Sequence, residues 1–201
     1  MDAPTAGRLE VRAELAREPL NGRPLDCLRF NRRRAAAQLL GAAAGVGAVP
    51  WPSASAALPG GKIERMVVVK EERRLFLVRG GEVVASYRVA LGRQPRGTKI
   101  YQGDGRTPEG SYRISAFNPQ SKFYRALRLS YPNEHDLAVA RALGQSVGGD
   151  IMLHGLAPER RAYGAEHWRF NWTNGCIAVT DEEIDEIWRR VEIGTPIEIR
   201  P

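Results

Sequence analysis

Cysteine and histidine are both scarce in this chain of 201 residues. There are two cysteines, Cys27 and Cys176, and three histidines, His135, His154 and His167. The cysteine count excludes a scaffold held together by several disulfides. A closed structural zinc site is disfavoured as well, because the cysteines and histidines are scattered and form no close pair of ligands. We therefore expect no metal site.

The most apolar stretch near the N-terminus, residues 35–49, is 15 residues long and falls short of the roughly 18–20 residues that span a bilayer. Three arginines at 32–34 precede it. Pro50, Pro52 and the small-residue pattern "ASA" at 54–56 follow it, as in an export signal with its cleavage site. We predict that residues 1–56 are an N-terminal extension and export signal that resembles a Tat signal, with Sec as the alternative route. An uncleaved membrane anchor is the other interpretation.

Cleavage after Ala56 would deliver the remaining domain to the periplasm or cell envelope, with no stable membrane span. It would also remove Cys27 and leave Cys176 without a partner for an intrachain disulfide, although exported proteins commonly form them. A packed thiol, a metal ligand and a nucleophile then remain as interpretations of Cys176.

Charge of one sign does not dominate the domain that would remain. The formal net charge of the chain is +7, and residues 57–201 carry +4 of it, from 22 Lys and Arg against 18 Asp and Glu. No block of Lys and Arg occurs within that region, so we expect no nucleic acid partner. A mild positive charge is compatible with an anionic polymer of the cell envelope.

Short apolar runs separated by turn signals follow a linker at residues 57–63. Seven of them are rich in Val, Ile, Leu and Tyr and predict strands: 66–70, 74–78, 83–91, 110–117, 126–131, 150–155 and 195–199. Gly80 and Gly81 separate the second and third runs and predict a hairpin turn, because glycine tolerates positive φ. We predict a single domain over residues 64–200 that is mainly β with a few helices, arranged as a sandwich or barrel.

Two helices are predicted within this strand series, at residues 136–143 and after Thr180. Thr180 and Glu183 have the spacing of a capping box, and apolar residues then recur at helical spacing from Ile184 onward. The second helix therefore begins five residues after Cys176.

Cys176 lies between a glycine-containing turn and a short apolar run, where a side chain can be held rigidly at a cleft. A cysteine nucleophile needs a base for its proton and donors for the oxyanion. His154 is the candidate base, because it ends a predicted strand and the following Gly155 lets another backbone or a ligand approach. Gly175 has no side chain, so the amides of Gly175 and Cys176 are candidates for the oxyanion donors. A packed cysteine and an ordinary strand-end histidine are the alternatives.

Several ordered motifs resemble the L,D-transpeptidase (YkuD) family. "HG" at 154–155 and "TNGCIAV" at 173–179 are similar to its active-site region. "VALGRQPRGTKIYQGDGRTPEGSYRI", "LRLSYPNEHD" and the closing "GTPIEI" are similar to other family segments, and the resemblance covers about residues 64–199. It implies an L,D-transpeptidase-like β-sandwich or barrel with a capped helix after the catalytic cysteine loop. It also implies that Cys176 is the nucleophile and His154 the general base and acid.

The resemblance implies an exported cysteine acyltransferase that acts on peptidoglycan stem peptides through a thioester, in cell wall biogenesis or remodelling and without a cofactor. The sequence departs from the most familiar motif at Asn174, where a histidine is usual, and at Ala178, where an arginine is often found. These departures leave the acceptor open. An amine would give transpeptidation, whereas water would give hydrolysis of wall peptides or of a link to a wall-anchored protein partner. A non-catalytic wall-binding domain is the third alternative.

Stem peptides carry carboxylates, which arginine binds well in a bidentate geometry, and aromatic side chains can form the wall of a groove. The predicted substrate-binding residues flank the proposed pair or belong to the loop before it: Gly155, Thr173, Asn174, Arg169, Trp168 and Tyr163. Arg160 and Arg161 are further candidates for a carboxylate. Solvated loop arginines and packed aromatic side chains are the alternative interpretation.

Overall fold

The computed structural model describes residues 61–201, and the account of the structure is confined to them. The strands are β1 (Arg65–Val69), β2 (Arg74–Arg79), β3 (Glu82–Arg88), β4 (Gly110–Ser121), β5 (Tyr124–Leu129), β6 (Met152–His154), β7 (Ile177–Ala178) and β8 (Pro196–Arg200). The helices are α1 (Glu134–Ala142) and α2 (Asp181–Arg190). A run of 3-10 turns at Pro158–Arg169, interrupted at Gly164, is called the 3-10 segment below.

The eight strands form one sheet in the order β3-β2-β1-β8-β4-β5-β6-β7. The β1–β8 and β6–β7 pairs are parallel, and the other pairs are antiparallel. Beyond β3 the chain reaches Ala90, which exchanges two backbone hydrogen bonds of 2.9 Å with Ala178 of β7. The two edges of the sheet therefore meet at this point, as in a barrel. The prediction of a mainly β domain with a few helices is confirmed.

One row of side chains across β5, β6 and β7 anchors the second half of the sheet in the core. Leu127 pairs with Leu153, and Leu153 pairs with Ile177; all three are fully buried. Helix α2 packs Ile184 and Ile187 into the same cluster. Because side chains alternate along a strand, the register that buries this row directs the neighbouring residues of β6 and β7 to the opposite face.

Two locally encoded features agree with the sequence. Gly80 and Gly81 join β2 to β3 with φ values of 61° and 76°, as the hairpin prediction requires. Helix α2 begins after Thr180, whose side chain accepts from the Glu183 amide while the Glu183 carboxylate accepts from the Thr180 amide. Both signals depend only on residues close together in the chain.

Helix α1 begins earlier than predicted, at Glu134 rather than at residue 136. Asn133 is the N-cap, and its side chain accepts from the Asp136 amide at 3.0 Å. The carboxylate of Asp136 in turn accepts a hydrogen bond from the Asn133 amide at 2.9 Å. Asp136 is thus the third helical residue of a capping box rather than the first residue of the helix.

The boundary of the domain also differs slightly from the predicted linker at 57–63. Ile63 is buried in the core, and its amide donates to the carbonyl of Arg190 at 3.0 Å. The packed domain therefore includes Ile63. The predicted export signal at 1–56 lies outside the described residues. Between residues 61 and 201, none of the helices is both long and apolar enough to cross a membrane.

Candidate active site

The structure brings Cys176 and His154 to neighbouring strands. His154 ends β6, Cys176 directly precedes β7, and the two strands run parallel with His154 opposite Ala178. Extension of the β7 alternation by one residue beyond the strand assigns Cys176, two residues before Ala178, to the same face as Ala178 and His154. Two residues that are 22 positions apart in the sequence thus lie where one strand ends and the neighbouring strand begins.

The thiol of Cys176 is half-buried and unpaired. Its sulfur donates to the carbonyl oxygen of Asp150 at 3.6 Å, and Asp150 adopts a φ of 54°, which is uncommon for a residue other than glycine. Burial raises the pKa of Cys176, although a hydrogen bond from the Met152 amide opposes the shift. The resting group is therefore a thiol rather than a thiolate. Among residues 61–201, no three His, Cys, Asp or Glu side chains are grouped so that they could hold a metal ion.

His154 is 1% exposed, and its Nδ1 lies 2.7 Å from the carbonyl oxygen of Gly155. A carbonyl can only accept, so Nδ1 carries the proton of the neutral ring and Nε2 keeps the lone pair. Burial lowers the pKa of His154 to about 4, although the bond to Gly155 opposes the shift. At neutral pH the imidazole is therefore uncharged and able to accept a proton at Nε2.

Two aromatic rings hold the imidazole of His154 in place. Phe123 stacks on it with ring centres 4.4 Å apart, and Trp172 meets it edge-on at 5.7 Å. Phe123 lies in the turn between β4 and β5. This contact could not be predicted from the sequence, because only the folded hairpin brings Phe123 to the end of β6. The two rings shield the imidazole from water and fix its plane.

The turn before Cys176 is held by its own residues. Thr173 Oγ1 donates to the Cys176 carbonyl at 2.7 Å and accepts from the Gly175 amide at 3.1 Å. The Gly175 amide, predicted as one of two oxyanion donors, is thus already bonded to Thr173 in this structure. This corrects the expectation that the glycine leaves both amides free, and the Cys176 amide remains the candidate donor.

A close backbone contact explains why glycine precedes the cysteine. Gly175 has a φ of 128°, and a Cβ there would lie 2.6 Å from the carbonyl oxygen of Arg106. The loop that carries Arg106 is itself tied down from within. Thr107 Oγ1 accepts from the Gly92 amide at 3.0 Å, and buried Lys70 donates to the Thr107 carbonyl at 3.1 Å. The "RTPEG" motif thus supplies the surface against which the cysteine turn packs.

Three of the predicted substrate-binding residues differ from one another in their surroundings: Gly155, Thr173 and Asn174. A Cβ on Gly155 would lie 2.5 Å from Asp181 Oδ1 and 3.0 Å from the Phe123 carbonyl oxygen. The groups that approach Gly155 closely therefore belong to the protein itself. Thr173 is 4% exposed and uses its hydroxyl within the turn, as a positioning residue. Asn174 is exposed next to Cys176, so its role in binding substrate stays a prediction.

Tyr163, Trp168 and Arg169 all lie in the 3-10 segment, which the sequence did not predict because it has no regular apolar spacing. Arg169 is exposed and forms an ion pair with Glu166. The other two contact side chains outside the predicted pair: Arg88 lies 4.5 Å over the Trp168 ring, and Tyr163 packs against Phe170 at 5.4 Å.

These contacts do not bring Tyr163, Trp168 or Arg169 against the pair. Trp172, three residues beyond the 3-10 segment, is the tryptophan that touches His154. The assignment of Tyr163, Trp168 and Arg169 to substrate binding stays a prediction.

A family model for the L,D-transpeptidase catalytic domain, YkuD, matches residues 64–199. The chain therefore belongs to the L,D-transpeptidase (YkuD) family, as its motifs predicted. The matched residues are those over which the motifs resemble the family.

Among curated proteins, YafK of Escherichia coli strain K12, by its name a predicted L,D-transpeptidase, is 33% identical over 130 residues. That alignment covers 62% of this chain and 45% of YafK, so the chain spans less than half the length of the curated relatives it matches.

Among solved structures, the helical cell shape determining protein Pgp2 of Campylobacter jejuni has a TM-score of 0.50 at 21% identity, over 69% of this chain and 48% of Pgp2. Bd1075 of Bdellovibrio bacteriovorus has a TM-score of 0.48 at 23% identity, over 69% of this chain and 48% of that protein. The likeness to Pgp2 concerns the fold.

Proposed function

We propose that this domain is an exported cysteine acyltransferase that acts on peptidoglycan stem peptides in the cell envelope. The observation that supports the proposal is the parallel pairing of β6, which His154 ends, with β7, which Cys176 directly precedes, in a domain that belongs to the L,D-transpeptidase family. The names of two relatives support the substrate class: YafK is named for L,D-transpeptidation and Pgp2 for determining cell shape.

In the proposed first step, the Cys176 sulfur attacks the carbonyl carbon of the L-centre residue while its proton passes to Nε2 of His154. The thiol pKa is raised and the imidazole pKa is lowered, so both groups rest in their neutral forms. Proton transfer therefore accompanies the attack rather than preceding it. The bond from Nδ1 to the Gly155 carbonyl supports the positive charge that the ring acquires.

In the second step, the tetrahedral intermediate collapses to a thioester on Cys176. The Cys176 amide holds the oxyanion, and His154 Nε2 returns its proton to the departing amine of the D-amino acid. The thiol must leave its bond to the Asp150 carbonyl when the substrate binds, because the sulfur then faces the carbonyl carbon. An amine of a second stem peptide, or water, then resolves the thioester.

Incubation of the purified protein with muropeptides, followed by intact mass measurement, tests this proposal. We expect the wild type to gain the mass of the acyl group and Cys176→Ala to gain none. An adduct that persists in Cys176→Ala would contradict the assignment of the nucleophile. Product analysis with and without an added amine acceptor then separates transpeptidation from hydrolysis.

A further inference from the structure

Each of the two aromatic rings that hold His154 carries a cationic side chain. Lys122 Nζ lies 5.0 Å from the ring centre of Phe123, and Arg160 Cζ lies 6.0 Å from that of Trp172. Lys122 is at the turn between β4 and β5, whereas Arg160 is in the first turn of the 3-10 segment. Two parts of the fold that are distant in sequence thus each place a cation over a ring that contacts the same imidazole.

Four other cations of the domain are neutralised by carboxylates. The ion pairs are Lys99–Asp104 at 3.0 Å, Arg125–Asp185 at 2.9 Å, Arg128–Asp150 at 2.7 Å and Arg161–Asp181 at 3.1 Å. Lys122 and Arg160 form no ion pair with any carboxylate among residues 61–201; their contacts are with the faces of aromatic rings. Both cations can therefore accept an external carboxylate without breaking an existing ion pair.

The charge of Lys122 acts on both proposed reacting groups. Burial is the main cause of the shifted pKa values of His154 and Cys176, and the positive charge of Lys122 lowers both. The geometric counterpart of this influence is the contact of the ammonium group with the Phe123 ring, which stacks on His154.

We propose that Lys122 and Arg160 are the specificity residues of this site, and that each binds a carboxylate of the acyl donor. The identity of the donor as a stem peptide rests on the proposed function. In this arrangement a donor with free carboxylates on both sides of the attacked bond is held at two points. Arg169, which the sequence suggested for this role, is already paired with Glu166.

Binding to the inactive Cys176→Ala variant tests the inference without requiring catalysis. Calorimetry would compare the affinity of this variant for a synthetic stem tetrapeptide with its affinity for versions in which one carboxylate at a time is converted to an amide. We expect amidation of a bound carboxylate to weaken binding by about 5- to 20-fold. When Lys122→Ala or Arg160→Gln is added to the Cys176→Ala variant, its affinity for the unmodified tetrapeptide should fall by a similar factor. Amidation of the carboxylate that the replaced residue binds should then have no further effect on the affinity.

Lys62→Ala and Arg141→Ala are matched controls, because Lys62 pairs with Glu192 and Arg141 lies in the last turn of α1. Neither should change the affinity or the effect of amidation. The inference is overturned if the tetrapeptide does not bind, or if amidation has the same effect with and without Lys122 and Arg160. Failure of the proposed function would look different: no adduct on Cys176 in the wild type, with carboxylate discrimination intact.

Discussion

The side chain of Thr173 bridges the turn that presents Cys176, because one hydroxyl donates to the Cys176 carbonyl at 2.7 Å and accepts from the Gly175 amide at 3.1 Å. The nucleophile is therefore positioned by a side chain three residues earlier. Thr173 itself is fixed to a neighbouring segment, since its amide donates to the Leu91 carbonyl at 3.2 Å.

Thr173→Val keeps the shape of the side chain but removes both hydroxyl bonds. We expect the free energy of unfolding to fall by about 1–3 kcal/mol, because two backbone groups lose a partner. We also expect slower acylation of Cys176, because the turn is no longer fixed. Urea unfolding and acylation kinetics check these effects. Thr173→Ser retains the hydroxyl and should restore the acylation rate; a serine variant as slow as the valine variant would contradict the positioning role.

Gly175→Ala should destabilise the domain more than Gly103→Ala, a substitution at a glycine of positive φ whose Cβ position is unobstructed. The added Cβ at 175 would lie 2.6 Å from the Arg106 carbonyl oxygen, whereas a Cβ at Gly103, with φ of 88°, meets nothing within 4 Å. We expect a loss of about 3 kcal/mol or more at Gly175 and about 1–2 kcal/mol at Gly103. Urea unfolding measures both losses. Equal losses of unfolding free energy would show that the Arg106 carbonyl does not restrict the side chain at position 175.

The locally encoded parts of the fold were predictable from the sequence. The turn at Gly80 and Gly81 and the start of α2 at Thr180 depend on residues within a few positions of each other. Helix α1 begins two residues before the predicted position, because Asn133 caps the helix and Asp136 is its third residue. The 3-10 segment was missed because its polar sequence has no apolar period to reveal it.

The candidate site was predictable only in part. Cys176 and His154 were identified from local context and the family motifs, whereas the ring of Phe123 and the carbonyl of Arg106 were not. Their contacts depend on strand register and loop closure, which bring together residues 31 and 69 positions apart in the sequence. Gly175 was singled out for free amides, but its position in the structure is explained by the close approach of Arg106.

Phe123→Ala should raise the pKa of His154. Burial holds this pKa at about 4, and removal of the stacked ring admits water to the imidazole. We expect the pKa to move toward the unperturbed value of about 6.5. An NMR titration of the imidazole resonances, assigned with His154→Gln, measures it. Phe170→Ala is the control, because Phe170 packs on Tyr163; an equal shift in both variants would contradict shielding by Phe123.

Alkylation of Cys176 by iodoacetamide in the free protein should increase steadily with pH. The thiolate is the reactive form, and burial raises the thiol pKa above its ordinary value. The rate should therefore rise about tenfold per pH unit through neutral pH and beyond pH 8. The Cys27→Ser background restricts the reaction to Cys176. A plateau between pH 6 and 7 would instead reveal a thiolate–imidazolium pair in the resting protein.

The acylation rate of His154→Gln tests the central claim most directly, because that claim joins the imidazole of His154 to the sulfur of Cys176. Time-resolved intact mass measurement with a stem peptide donor would give the rate for wild type and variant, and urea unfolding would verify that the variant is folded. We predict that acylation of Cys176 slows by about 10²- to 10⁴-fold, the usual contribution of a general base. A folded His154→Gln protein that acylates Cys176 within twofold of the wild-type rate would contradict the account.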